Sequence, residues 1–403
     1  MKVKVSEIKT TINSTMQKKL HFTCFSKKQK NFHIALPTVA TQFCTFFVYL
    51  QTASIIGLHL PSDYLSAFSL GSLAGNLTCT SIIIGTLLAS ETLQPRAFGS
   101  KQYREVGLIA IRGCVFCIAA LILPIWIILS KGDTLFVALL GQQHEIDSGE
   151  GEVYGEEGLS SSNEEASHAA SAWIQVYLWS VPAVLLFRST QRYLACQNFV
   201  MPCLYAAMVS CFFVHPIILR YVVYRYGFLG SARAVIVTQC VATLLAFYFI
   251  RIMKVHEVQT LPCWPTSYNS WLTASTNTST SKHVNTTLNT NPGNIISSSW
   301  SSLWPFVREV LQWKGFSEYA RLSFGGIVAL SEWWFWESIC VVAGKFGLPS
   351  LCVHTIAYQV TPITFMMPLG TGIGLSVRME KILPVSVHSA KRLTISSDGV
   401  VTH

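Results

Sequence analysis

Charged residues are scarce in this 403-residue chain, where Asp, Glu, Lys and Arg make up 12% of the sequence. A soluble domain typically carries about 25% of these residues. Hydrophobic residues make up 51% of the chain, and they are gathered in long blocks separated by short polar stretches. A run of about 20 mostly apolar residues can cross a bilayer as a helix. The composition therefore excludes an ordinary soluble domain and predicts a multi-pass protein embedded in the lipid bilayer.

The sequence also lacks the short motifs that identify common enzymes. It has no nucleophile elbow, phosphate-binding loop, HExxH zinc motif or dinucleotide fingerprint. We therefore expect neither an enzyme nor an ATP-driven pump, no catalytic residues and no cofactor. Cys114 and Cys117 have the spacing of zinc ligands, but no second pair follows and the segment is apolar, so we predict no metal site.

Eight apolar stretches predict an all-α, polytopic bundle of about eight transmembrane helices. The predicted spans are residues 34–58, 65–90, 106–129, 169–187, 201–222, 231–252, 322–343 and 351–377. Arg188 and Arg192 shorten the apolar part of the fourth span, and we assign them to the cytoplasmic connection that follows it.

The polar segments divide the chain into five parts. A basic amino-terminal segment, residues 1–31, carries eight lysines within its first 30 residues. A membrane span follows at once, which favours a cytoplasmic location and argues against nucleic-acid binding. The other parts are a group of six predicted spans at 32–256 with an acidic extracellular loop at 142–168, a Ser/Thr/Asn-rich cytoplasmic linker at 257–303, a group of two predicted helices at 304–379, which begins with an amphipathic stretch at 304–321, and a polar tail at 380–403.

The stretch SEWWFWES places two carboxyl groups among tryptophans inside the predicted seventh span. Glu332 falls near the middle of that span, where a charged side chain costs about 2.5–3.5 kcal/mol on insertion scales. Burial favours the protonated form of a carboxyl, so this position suits a group that binds and releases protons. Trp333 and Trp336 offer ring faces that attract cations. The alternative is an aromatic belt at the membrane interface.

Asn76 and Gln359 are polar residues within other predicted spans. Each could line the same cavity as the glutamates, or each could instead form a hydrogen bond to a neighbouring helix. These two interpretations remain open from the sequence.

Several longer motifs resemble those of the multidrug and toxic compound extrusion (MATE) family, of the animal and plant type. They are GTLLASETLQPRAFGSKQYREVG from Gly85, YLWSVPAVLLFRSTQRYLACQNFVMP from Tyr177, YGFLGSARA from Tyr226, and SEWWFWES from Ser331. The resemblance implies two six-helix lobes with a cavity between them, so that residues 32–256 would form the first lobe and residues 304–379 an incomplete second lobe of two helices. It further implies proton-coupled export of small organic cations. It also implies that Glu332 is the principal exchanging carboxylate and Glu337 assists it. Trp333, Trp336 and Asn76 would line the site, and Gln359 stands where animal members often have a third glutamate.

Besides Gln359, the sequence departs from this family pattern in two further places. Gln94-Pro95-Arg96 replaces the usual Cys-Gly-Gln, and Met379-Glu380-Lys381-Ile382 replaces a Gly-Asn-x-Leu-Gly-Ala run. Because only a polar tail follows, we interpret the chain as truncated after its eighth helix. We expect a proton-coupled antiporter in the plasma membrane, with an organelle membrane as the alternative. A second hypothesis is a non-transporting membrane protein that pairs with a full-length relative, or with the missing second-lobe helices, and modulates or interferes with that relative.

Overall fold

A computed structural model describes residues 35–141, 156–253, 307–344 and 348–387. Within these ranges every regular element is helical. The basic segment 1–31, the linker 257–303 and the tail beyond residue 387 lie outside the described residues.

The first part of the chain forms long helices, several of which change geometry along their length. They are α1 (Ala35–His59), α2 (Ser62–Gly75) joined through a π-helical turn (Asn76–Thr80) to α3 (Ser81–Gly99), α4 (Tyr103–Gly141), α5 (Glu156–Tyr177) joined through a 3₁₀ turn (Leu178–Ser180) to α6 (Val181–Cys196), α7 (Met201–Val209) joined through a π-helical turn (Ser210–Val214) to α8 (His215–Tyr226), and α9 (Phe228–Met253). Pro182 and Pro216 are the second residues of α6 and α8, and a proline removes one backbone hydrogen bond from a continuous helix. Each therefore lies directly after a turn of changed helical geometry.

Six helical segments within the described residues are long and apolar enough to cross a membrane. They correspond one by one to the first six predicted spans, which are confirmed. After the linker come α10 (Trp313–Ala329), α11 (Ser331–Gly344) and α12 (Leu348–Ile382).

The prediction of one uninterrupted helix over residues 322–343 is wrong. A single helix, α10, takes up part of the amphipathic stretch and the first half of the predicted span, and the chain breaks at Leu330 (φ −86°, ψ 1°). Two consecutive glycines, Gly325 and Gly326, precede the break, and glycine is a poor helix former. Glu332 therefore lies at the second position of α11 instead of the middle of a longer helix.

The predicted extracellular loop is wrong for its second half, because residues from Glu156 onward form the first turns of α5. Glu156 and Glu157 begin this helix, where negative charge is favourable near the positive end of the helix dipole. Further along, Ala166 and Ala170 are buried, so this part of the segment packs inside the bundle. Residues 142–155 lie outside the described residues.

Aromatic residues of α2 and α5 form the centre of the first lobe. The rings of Phe68 and Trp173 pack edge to face with centroids 5.3 Å apart, and Trp173 stacks on Tyr177 at 5.2 Å. The indole N–H of Trp173 donates to Ser231 Oγ of α9 at 2.8 Å. Burying large rings while satisfying the indole N–H holds the three helices in a fixed arrangement.

Helix α10 packs directly on α3, which connects the segment after the linker to the first lobe. Tyr319 is fully buried; its hydroxyl lies 2.8 Å from Ser90 Oγ and donates to the carbonyl oxygen of Thr86 at 3.0 Å. Small residues allow helix backbones to approach closely within a membrane, and Gly85 and Gly326 meet at this contact.

The carboxyl-terminal ends of α12 and α3 are joined by an ion pair. Both of its residues belong to the stretches that differ from the family pattern. Arg96 donates from Nε and Nη2 to Glu380 Oε2, at 3.1 and 3.0 Å. Lys381 donates to Asn198 Oδ1 at 2.8 Å. Residues 380–382, which we predicted to begin the polar tail, are therefore the last turn of α12 and dock against the first lobe.

Candidate functional site

A cavity of about 90 Å³ lies where α11 and α12 face the first lobe. Residues of α1, α3, α6, α11 and α12 contribute to its wall. Its polar lining consists of Gln42, Tyr49, Asn76, Thr80, Ser81, Glu91, Arg192, Glu337 and Tyr358.

Glu337 brings a buried carboxyl group to this cavity. Only 2% of the residue is exposed, and its Oε1 accepts a hydrogen bond of 3.4 Å from the Tyr358 hydroxyl. Its Oε2 has no hydrogen-bond partner among the described residues. An ionised carboxyl group is costly to bury without a partner. Binding of a proton or a cation at this oxygen would remove that cost.

Asn76 reaches the same cavity from the first lobe. It is the first residue of the π-helical turn that joins α2 and α3, and π-helical turns within α-helices are frequent at functional sites. The structure thus brings together Asn76 and Glu337, two of the residues that the sequence predicted as a site.

Trp336 does not reach the cavity. Its side chain is 52% exposed, and its ring packs edge to face with Phe335 at 5.7 Å. The expectation that Trp336 lines the site is therefore not supported by its position. The reason is geometric, since Trp336 directly precedes Glu337 and adjacent residues project about 100° apart around a helix.

Three of the predicted site residues cannot be placed by their side chains. Glu332 and Trp333 belong to α11, and Gln359 belongs to α12. Their side chains lie outside the described part of the structure, so their roles stay predictions.

The main polar feature that sequence reasoning missed is an ion pair between Glu91 of α3 and Arg192 of α6. The two side chains are 8% and 4% exposed, and both line the cavity. The sequence signal was present, because each is a charged residue at the end of an apolar stretch. We assigned Arg192 to a cytoplasmic connection, whereas it lies within a helix that continues to Cys196 and is buried.

Arg188 is a second buried cation, one turn before Arg192 on α6. Its Nη1 donates to the side-chain oxygen of Gln42 and, at 3.4 Å, to that of Gln191. Its assignment to a cytoplasmic connection is likewise wrong. Two guanidinium groups and one carboxylate are thus buried on the first-lobe side, opposite the carboxyl group of Glu337.

The cysteine pair with the spacing of zinc ligands, Cys114 and Cys117, lies on α4. The Sγ of Cys114 donates to Ser189 Oγ at 3.3 Å. No group of three or more His, Cys, Asp or Glu within the described ranges lies close enough together to hold a metal ion.

The cavity contains a buried carboxyl group, but at this size it cannot enclose a bulky solute. The lining includes an amide, a phenol and a carboxyl oxygen that has no hydrogen-bond partner within the described ranges. Pockets for drug-sized ligands measure about 300–1,000 Å³, against about 90 Å³ here. Admission of an organic cation therefore requires α11 and α12 to move away from the first lobe.

Comparisons with known proteins agree with the fold. The sequence model of a family described as MatE matches residues 37–148. The chain is 22% identical over 359 residues to multidrug and toxin extrusion protein 1 of Xenopus tropicalis, covering 88% of this chain and 50% of that protein. It is 23% identical over 363 residues to the protein of the same name from Oryctolagus cuniculus, covering 89% and 52%. The chain thus spans about half the length of the curated relatives it matches.

Solved structures show the same arrangement of helices. The chain superposes on the eukaryotic MATE transporter AtDTX14 with a TM-score of 0.67 at 16% sequence identity, covering 93% of this chain and 69% of that one. An outward-facing multidrug resistance MATE family transporter gives a TM-score of 0.59 at 14% identity, covering 93% and 69%. These likenesses establish the fold.

Proposed function

We propose that the chain acts in secondary active transport as a member of the MATE family, whose sequence model matches residues 37–148. The proposed reaction is proton-coupled antiport that exports small organic cations or other xenobiotics across the membrane in which the protein is embedded. We place this reaction in the plasma membrane.

The observation that carries the proposal is the buried carboxyl of Glu337, one oxygen of which has no hydrogen-bond partner among the described residues. The ionised form attracts a cation strongly in a cavity with little water, because electrostatic interactions are stronger at low dielectric constant. Protonation removes this attraction and releases the cation. One carboxyl can therefore hold either a proton or an organic cation, and this competition couples the two movements.

The neighbouring residues of SEWWFWES extend the same proposal. Glu332 would be the principal exchanging carboxylate, with Glu337 as its assistant, while Trp333 supplies a ring face for the cation. Gln359 on α12 and Asn76 in the turn before α3 would orient the solute through neutral hydrogen bonds.

Transport requires the cavity to open and close, because its present volume excludes a bulky cation. Helix α12 contacts the first lobe at its end through Arg96 and Glu380. The side chain of Arg96 is 44% exposed and that of Glu380 only 12%, so opening at this end would have to separate a partly buried ion pair.

The test is uptake of radiolabelled tetraethylammonium into acid-loaded vesicles that contain the purified 403-residue chain. We expect accumulation that a protonophore abolishes and that Glu337→Gln and Glu332→Gln both remove. Glu309→Gln is a matched control, because Glu309 pairs with Arg104 at 2.5 Å and is not among the residues that line the cavity. Equal accumulation by wild type and Glu337→Gln would refute the proposed role, and a sodium gradient that replaces the proton gradient would refute proton coupling.

The second candidate function is modulation of a full-length relative without transport. It is favoured by the apolar outer surface of α11 and α12, where Phe335, Trp336 and Val353 are 61%, 52% and 70% exposed. Lipid or the helices of another protein can cover such a surface. If the chain alone moves no cation and lowers uptake when reconstituted with a full-length relative, this second function replaces the first.

A further inference from the structure

The Glu91–Arg192 ion pair shares its cavity with the carboxyl of Glu337. Arg192 is therefore a permanent cation beside the carboxyl group that, under the proposed function, exchanges protons and solute cations. An arginine free to contact Glu337 would neutralise it and occupy the place of the solute. What prevents this is the partner that Arg192 already has.

The other charged and titratable groups near the cavity do not provide a carboxylate partner for Arg192. Arg188 is bonded to the neutral amides of Gln42 and Gln191. Tyr358 donates to Glu337 Oε1, and the hydroxyl of Tyr49 lies 2.9 Å from that of Tyr177. Cys340 follows Glu337 on the same helix and carries a thiol. Among the described side chains that line the cavity, Glu91 and Glu337 are the two carboxyl groups.

We propose that Glu91 is a positioning residue for cation exchange: by holding Arg192, it keeps the carboxyl group of Glu337 available to solute cations. This inference rests on the proposed function and adds a residue to it. It assigns the first lobe an active part in selectivity, because the charge state of Glu91 decides whether Arg192 competes with the solute.

The consequence of removing Glu91's charge follows from electrostatics at low dielectric constant. Arg192 remains charged, since arginine is not deprotonated in proteins, and it loses its carboxylate. Glu337 is then the remaining carboxyl group among the described side chains that line the same cavity as Arg192. Pairing with Arg192 would lower the affinity for solute cations and would make Glu337 release its proton more readily.

The experiment measures equilibrium binding of radiolabelled tetraphenylphosphonium to the purified full chain in lipid nanodiscs as a function of pH. We expect wild type to bind at high pH and to lose binding as the carboxyl is protonated. For Glu91→Gln we expect binding weaker by about tenfold or more and a midpoint at lower pH, since an opposite charge within about 4–6 Å changes the proton affinity of a carboxyl by at least about this factor. Glu91→Asp keeps the charge and should retain the wild-type midpoint. Glu309→Gln, which breaks an ion pair away from the cavity, should bind as wild type.

The double variant Glu91→Gln/Arg192→Gln separates positioning from a purely structural role. It removes the competing guanidinium, so binding and its pH midpoint should return to within about threefold of wild type. Arg192→Gln alone should also bind at least as well as wild type. This variant tests the role of Glu91 even if Glu91→Gln does not fold.

Two results would overturn the proposal: wild-type binding by a folded Glu91→Gln, or a tenfold loss in both variants that lack Arg192. Absence of binding by the wild type would instead refute the proposed function itself, and the role of Glu91 with it.

Discussion

The contact between α3 and α10 gives a sharp test of the fold, because two adjacent glycines of α10 have opposite surroundings. A Cβ added at Gly326 would overlap the carbonyl oxygen of Gly85 and lie 3.0 Å from Leu88 Cβ, whereas a Cβ at Gly325 would meet no atom within 4 Å. We therefore expect Gly326→Ala to destabilise the protein and Gly325→Ala to leave it as stable or more stable.

The size of the effect can be worked from this geometry. Forcing a methyl group into a packed contact costs about 1–3 kcal/mol. Tyr319 and Ser323 donate to the carbonyl oxygen of Thr86 at 3.0 and 3.1 Å, and moving α10 outward would weaken both bonds, each worth about 0.5–1.5 kcal/mol. The higher helix propensity of alanine stabilises the folded protein by about 1 kcal/mol. The net loss for Gly326→Ala is then about 3 kcal/mol, against a gain of up to about 1 kcal/mol for Gly325→Ala.

The assay is thermal unfolding in a mild detergent, followed by the loss of the monodisperse peak in size-exclusion chromatography. The shift of the unfolding midpoint is about ΔΔG divided by the unfolding entropy, which is about 2.1 cal/mol/K per residue. For a chain of 403 residues, a loss of about 3 kcal/mol lowers the midpoint of Gly326→Ala by roughly 3–4 °C. Equal midpoints for the two alanine variants would refute the close approach of α10 to α3, and with it the position of the cavity.

Three further substitutions probe the core and the site. Tyr319→Phe removes a buried hydroxyl that donates to the carbonyl of Thr86, so we expect a loss of about 1–3 kcal/mol in thermal unfolding; an unchanged midpoint would contradict the buried bond. Trp173→Phe deletes the 2.8 Å bond to Ser231 and leaves part of the indole volume empty, which should cost about 2 kcal/mol. If its unfolding matches wild type, the aromatic centre of the first lobe is placed incorrectly. Glu337→Gln should unfold at the same temperature or higher, because it removes a buried charge with an oxygen that has no partner among the described residues, while it abolishes pH-driven cation uptake. A lower midpoint with normal uptake would contradict this account.

The sequence alone determined the membrane-spanning character of the chain and the positions of its first six spans. Hydrophobicity is a property of each segment by itself, and a block of about 20 apolar residues must form a helix in lipid to satisfy its backbone. Asn76 and Glu337 stand out in the sequence on the same basis, because each interrupts an apolar block with a polar group.

Only the tertiary structure decided which polar groups meet. Window averages assigned Arg188 and Arg192 to a loop, since a charge is unfavourable in a span unless a partner offsets it, and the partners Gln42 and Glu91 come from other helices. The break at Leu330 and the exposure of Trp336 also depend on how α10 and α11 pack on their neighbours. Burial in lipid is set residue by residue along the chain, whereas pairing inside the bundle is set by contacts between residues far apart in sequence. Burial in lipid can therefore be summed from the sequence, whereas the pairing of polar groups exists only once the helices have docked.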